Sequence, residues 1–145
     1  MASAVDTATS LVSAERDAVR ASACKDLFAP CPNVTILHGD WREIVPHGPF
    51  DLLVLDGGGG AKRAGGPPAE PAELLKPGGT VVLDDFHPPL TEWPAPAGTL
   101  DEFGRDLNHS RAHWFGHPDL LTTELRVHPE ASALVGIYCG RGGER

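Results

Sequence analysis

The sequence predicts an α/β fold, a doubly wound and mostly parallel sheet that ends in a C-terminal antiparallel hairpin. Three observations lead there. The stretch Phe50–Leu55 holds five apolar residues interrupted only by Asp51, and it is bounded by Pro49 and the four glycines Gly57–Gly60. That is the pattern of a strand buried on both faces of a parallel sheet. Four apolar segments each end in an acidic residue followed by turn chemistry, with helical segments mostly between them, which implies right-handed crossovers. The last two segments, Leu120–Val127 and Ser132–Tyr138, are linked only by His128-Pro129-Glu130-Ala131, a connection short enough to require a hairpin.

In chain order, Met1–Thr9 is small and polar with weak helical character. Ser10–Ala14 gives a short strand ending at Glu15, and Val19, Ala23 and Leu27 fall at helical spacing within Arg16–Phe28. Pro30 and Pro32 stop that helix, and Val34–Leu37 forms a second strand running into His38-Gly39-Asp40-Trp41. The third strand is Phe50–Leu55. Ala61–Pro71 has no apolar period and reads as a loop. Glu70–Leu75 is a short helix closed by Lys76-Pro77-Gly78-Gly79, and Thr80–Leu83 is a fourth strand that ends in Asp84-Asp85-Phe86-His87. After the proline-dense loop Pro88–Gly98, a helix is expected around Leu100–Phe115.

With 145 residues, 41% of them apolar and 22% charged, the chain reads as one domain, residues 1–145, with a single core. A formal charge of -8 argues against a nucleic-acid surface, and small-molecule chemistry is the expected business. No run is long or apolar enough to span a bilayer, and the first residues lack the blocks of a secretory signal, so the expected compartment is the cytoplasm. Cys24, Cys31 and Cys139 fit neither a disulfide framework nor a paired zinc pattern.

In an open parallel sheet, ligands bind beyond the carboxyl ends of the strands. Glu15, Asp40, Asp56, Asp84 and Asp85 are therefore expected along one rim, and the glycines after Asp56, Gly57 first, allow close approach of a ligand. Plainer readings stand beside these: Asp56 as a turn cap, Glu15 as a helix cap, Asp40 as an Asx turn, and Asp84-Asp85 as turn residues before Pro88-Pro89.

The order of elements, the acidic strand ends, the phrase Leu74-Leu75-Lys76-Pro77-Gly78-Gly79 before an apolar strand and the closing hairpin together resemble class I S-adenosylmethionine-dependent methyltransferases, Rossmann-like enzymes, from Ser10 to Cys139. The resemblance implies that Glu15 holds the ribose hydroxyls of S-adenosylmethionine, as a carboxylate accepting from a diol can. It implies that Asp40 accepts from the adenine amino group while Trp41 covers the ring. Catechol-type O-methyltransferases of this family bind a divalent cation, and Asp56 and Asp84-Asp85 fall at the matching places, a set of oxygen ligands suited to Mg²⁺ or Ca²⁺. The second Asp stands where that type has Asn. Its catalytic Lys lies close behind the first Asp, whereas Lys62 lies six residues on, so His87 is an alternative base.

The family's first strand and its glycine-rich cofactor loop have no counterpart before Glu15. The expectation is that the recorded start lies inside a longer reading frame. The strands ending at Glu15 and Asp56 would otherwise pair directly, accept a strand from another chain, or be covered in a homodimer. The expected function is O-methylation of a small acceptor. The alternatives are a non-catalytic binding or dimerisation module of the same fold, and a metal-dependent hydrolase using the same aspartates. His109, His113 and His117 recur every four residues, a helical spacing able to bind zinc or nickel, with a partly exposed polar face as the plainer reading. The Gly57–Gly60 run lacks the Gly-Lys-Ser/Thr ending of a phosphate loop.

Overall fold

A computed structural model describes residues 8–62, 66–86, 102–128 and 131–140, with backbone alone at Asp85 and at 102–108. Met1–Gly48 and Pro49–Arg145 are two compact units.

In the first unit, β1 (Leu11–Glu15) pairs in parallel with β2 (Val34–His38), Leu11 opposite Val34 and Glu15 opposite His38. Between them runs α1 (Ala18–Phe28), which begins two residues later than the apolar spacing suggests because Asp17 caps it. The Asp17 carboxylate accepts from the N–H groups of Val19 and Arg20 at 3.0 and 2.9 Å, satisfying two of the orphan donors of the first turn. A 3-10 helix, Trp41–His47, follows β2 and was not foreseen. Gly39 leads into it at φ 157°, where a Cβ would lie 2.6 Å from Glu43 Cγ.

In the second unit, β3 (Phe50–Leu55), β4 (Leu75–Phe86), β6 (Ala131–Tyr138) and β5 (Leu120–His128) form a sheet in the order β3-β4-β6-β5. The β3–β4 pair is parallel, while β6 runs antiparallel to both β4 and β5. Two helices, the one-turn α2 (Pro71–Leu74) and the longer α3 (Glu102–Gly116), complete the described part of the unit. The hairpin is as expected, and its second strand lies next to β4. Among the described residues the six strands divide between two hydrogen-bonded sheets, so β1 and β3 do not pair directly, one of the ways of making up for the missing strand between them.

Two local expectations also change. The β3 strand is buried on one face only: Leu53 and Leu55 are 4% and 3% exposed, Leu52 and Val54 56% and 41%. Register explains this. Leu53 lies beside Val81, and Leu55 beside Leu83 and then Leu134, all of them buried on the face that also carries Thr122 and Glu124 beneath α3. The alternate positions Leu52, Ile137 and Leu121 share the other face and are exposed.

Lys76-Pro77-Gly78-Gly79, read as a helix stop, instead lies inside β4 as an irregularity, because Phe50 pairs with Leu75 and Leu52 with Thr80. Gly78 takes φ 83°, a conformation open to glycine. At Gly79 an added Cβ would lie 2.8 Å from the Lys76 carbonyl oxygen and 3.0 Å from that of Phe50. Neither backbone atom can move aside alone. Gly79→Ala is therefore expected to lower stability by about 1–3 kcal/mol, read as a lower urea midpoint with unchanged slope.

No helix among the described residues is long and apolar enough to cross a membrane. Cys24, Cys31 and Cys139 are free thiols.

Candidate functional site

The first unit brings Glu15 and Asp40 to the carboxyl ends of adjacent parallel strands. Gly39 N–H donates to the Glu15 carbonyl at 3.0 Å, extending the β1–β2 ladder to the residue before Asp40. Glu15 is not a helix cap: its Oε1 accepts from the N–H of Asp17 at 2.7 Å and its Oε2 lies 3.6 Å from Arg20 Nε. Asp40 does form the Asx turn, accepting from the N–H of Arg42 at 2.9 Å and so capping the 3-10 helix. Both its oxygens also lie 3.0 Å from Arg42 Nη1. The Arg42 N–H is the main reason the Asp40 carboxyl sits below the usual carboxylate range, and the guanidinium charge adds to it. The same guanidinium lies over Trp41, with Cζ 4.8 Å from the ring centroid.

The second unit sets Asp56 and Asp84 at the carboxyl ends of β3 and β4, each one residue beyond the paired Leu55 and Leu83. Between these ends reaches Lys62. Its Nζ donates to the Asp84 carbonyl at 2.8 Å and to the Asp56 carbonyl, and the residue is only 9% exposed. The intervening glycines make this possible. Gly59 accepts from Ala69 N–H at 2.6 Å, and the Gly60 carbonyl accepts from Ser110 Oγ at 2.5 Å and Trp114 Nε1 at 2.9 Å, both on α3. A Cβ on Gly60 would lie 3.1 Å from Leu83 Cδ2. Ala61 then takes φ 55°, a left-handed conformation costing about 1–2 kcal/mol for a residue with a Cβ. Strain of this kind is held where surrounding contacts over-determine it. The turn at Ala61 sends the Lys62 side chain back toward the strand ends. Gly57 is exposed, and a Cβ there would meet nothing within 4 Å.

A second support lies behind Asp84. Register shifts between Leu83 and Phe86 in the β4–β6 pairing, a bulge at Asp84-Asp85. The single Ser132 hydroxyl proton is donated to Glu124, with the Phe86 carbonyl 3.3 Å from the same Oγ, and the Glu124 carboxylate also takes Arg111 Nε and Nη2 at 2.9 and 2.8 Å. Arg111 Cζ lies 5.2 Å from the Phe86 ring centroid. The bulge is thus tied to α3 and β5 through a buried ion pair.

Of the cation ligands expected at Asp56, Asp84 and Asp85, the Asp85 side chain lies outside the described residues. Among the described residues, no three His, Cys, Asp or Glu side chains converge to hold a metal ion. Among the described side chains, the Lys62 ammonium reaches both strand ends. The side chain of Asp85, and the whole of His87 and Pro88–Gly98, lie outside the described residues.

The three histidines do not form a metal centre among the described residues either. His109 is exposed, and His117 lies beyond the end of α3 with Nε2 3.6 Å from Glu70 Oε1 and Nδ1 accepting from Asp119 N–H at 3.3 Å. His113 Nε2 is buried with no hydrogen-bond partner. Burial, reinforced by His117, pushes the His113 imidazole below its ordinary value of 6.5, with Glu70 opposing. The unfolded chain therefore takes up this proton at higher pH than the folded one. His113's contribution is complete above pH 6.5 and falls as pH drops through that value toward the folded one. His113→Leu is expected to flatten the decline in melting temperature between about pH 7 and pH 5.

Sequence reasoning missed Arg42, Ser110 and the Arg111–Glu124–Ser132 group. Glu124 carried a weak signal, the one acid in a strand that also holds Thr122, Thr123 and Arg126, but nothing in the sequence pointed to Arg111 as its partner.

The chain has the fold of class I S-adenosylmethionine-dependent methyltransferases. It is similar to the O-methyltransferase TomG from Streptomyces achromogenes, involved in tomaymycin synthesis and solved with S-adenosylmethionine, with TM-score 0.69 and 18% identity over 96% of this chain and 66% of that one. An O-methyltransferase from Bacillus cereus, solved with S-adenosylhomocysteine, matches at TM-score 0.67 and 15% identity, over 94% and 66%. The S-adenosylhomocysteine-bound Podospora anserina methyltransferase PaMTH1 matches at 0.64 and 19%, over 92% and 62%. The chain thus spans just under two thirds of the length of these proteins. No protein-family model matches the sequence, and no curated protein does.

Proposed function

We propose that this chain carries out S-adenosylmethionine-dependent methylation of an oxygen on a small acceptor. Lys62 carries the reading: a nearly buried cation bridging the ends of two parallel strands, in a fold shared with O-methyltransferases. Glu15 would accept from the ribose hydroxyls, while Asp40 and Trp41 would take the adenine amino group and ring. Asp56 and Gly57 would border the reacting end, where exposed backbone permits close approach.

S-adenosylmethionine supplies an activated methyl group. The acceptor oxygen forms the new C–O bond as the C–S bond breaks, with the electron pair passing to sulfur and the acceptor proton to solvent or a nearby base. The protein's work is alignment and charge. A fixed ammonium at the rim stabilises an acceptor oxygen that is losing its proton, and alignment of donor and acceptor supplies most of the rest. Among the described residues no three His, Cys, Asp or Glu side chains converge on a metal ion, and the alignment and charge above need none.

The test is calorimetric titration with S-adenosylhomocysteine, with and without Mg²⁺, while light scattering reports mass and so the homodimer proposed for this chain. Binding near the micromolar range, about -8 kcal/mol, with methyl transfer to a phenolic acceptor panel, is expected. Absence of both binding and transfer would overturn the reading.

A further inference from the structure

One group in the first unit already makes both contacts required of a bound adenine. Arg42 Nη1 lies 3.0 Å from each Asp40 oxygen, and its Cζ lies 4.8 Å from the Trp41 ring centroid. A guanidinium is flat, donates N–H from its edge and presents a face to an aromatic ring. A purine bearing an exocyclic amino group has the same three properties. Both cannot occupy the space between this carboxylate and this ring.

We propose that Arg42 is a gate on the nucleoside half of the site, setting the affinity for amino-purine ligands by competing with them for Asp40 and Trp41. This inference rests on the reading of Asp40 and Trp41 given above and adds the residue that regulates them. The pair is exposed, with side-chain accessibilities of 51% for Arg42 and 45% for Asp40, so salt screens it and a ligand displaces it at small cost. The Asx turn survives displacement because it uses the backbone N–H of Arg42, not its side chain. The gate can therefore open without loss of the 3-10 helix.

A competitor of this strength leaves the site open for a minor fraction of the time, and apparent affinity falls by that fraction. Arg42→Gln is expected to tighten S-adenosylhomocysteine binding about three- to five-fold. Raising salt from about 0.02 to about 0.5 M should tighten binding to the native chain and leave Arg42→Gln nearly unchanged. Arg42→Lys, which keeps the charge and loses the plane, should fall between the two. Asp40→Asn should weaken binding in the Arg42→Gln background, which checks that Asp40 is the group being uncovered. Equal or weaker binding by Arg42→Gln overturns the gate while leaving the nucleoside reading standing. Failure of both the native chain and Arg42→Gln to bind overturns that reading and the gate with it.

Discussion

Glu124→Gln lowers the stability of the second unit by about 3–5 kcal/mol, the usual loss when one partner of a buried ion pair is removed. Arg111 is 5% exposed, so its charge has little access to water once the carboxylate is gone. The amide keeps one acceptor for the two N–H groups now donated at 2.9 and 2.8 Å. Ser132 loses a charged acceptor at the same time. For a unit of this size the melting temperature should fall by roughly 12 °C or more. The companion variant carries the stronger inference. Replacing both partners, Arg111→Met with Glu124→Leu, removes both buried charges together and should recover most of that loss, because apolar side chains of similar volume often replace a buried pair without net cost. A double variant as unstable as the single one would mean that the pair also holds the fold through shape, including the stacking of Arg111 on Phe86. Thermal and urea unfolding of the three proteins decides this.

Lys62→Met is expected to reduce kcat for methyl transfer by about 10²–10³, the range for loss of one well-placed electrostatic donor. S-adenosylhomocysteine affinity should change little, since Glu15, Asp40 and Trp41 belong to the other unit. That split between turnover and binding separates a role in the reaction from general damage to the fold. Some stability is lost as well, since two strand-end carbonyls lose a charged donor, each such bond being worth about 1.5–3 kcal/mol. Lys62→Arg should not restore turnover, because the flat fork of a guanidinium cannot repeat a compact ammonium's approach to two carbonyls. Full activity in Lys62→Met would remove the residue from the reaction.

The strands were readable because their apolar runs and stops are local: β3 has the bounds its composition suggests, and β2 and the hairpin strands fall within a residue or two of theirs. The parallel pairing followed from helical segments between strands. What was not readable depends on contacts distant in sequence. One-sided burial of β3 follows from sheet register, which periodicity within Leu52-Leu53-Val54-Leu55 does not encode. Lys62 looked too far from Asp56, six residues and four glycines away, because a glycine run suggests reach without direction. The direction comes from Ser110 and Trp114, about fifty residues on in the chain. Asp40 shows the reverse: its Asx turn and its place at a strand end were both legible, and the two readings are compatible because one oxygen accepts several bonds. Arg42 was overlooked because a charged residue in a short polar turn carries no pattern of its own.

The bond from Ala69 N–H to the Gly59 carbonyl closes the loop 59–69 at its base, and the bonds to Gly60 fasten its first residues to α3. Inside that closure, the segment after Lys62 can vary in length without shifting the ammonium. Doubling such a loop adds only about 0.6 kcal/mol of closure entropy. Insertions between Lys62 and Ala69 should therefore cost little stability, whereas a residue added or removed between Gly57 and Lys62 should displace the ammonium from the two strand-end carbonyls.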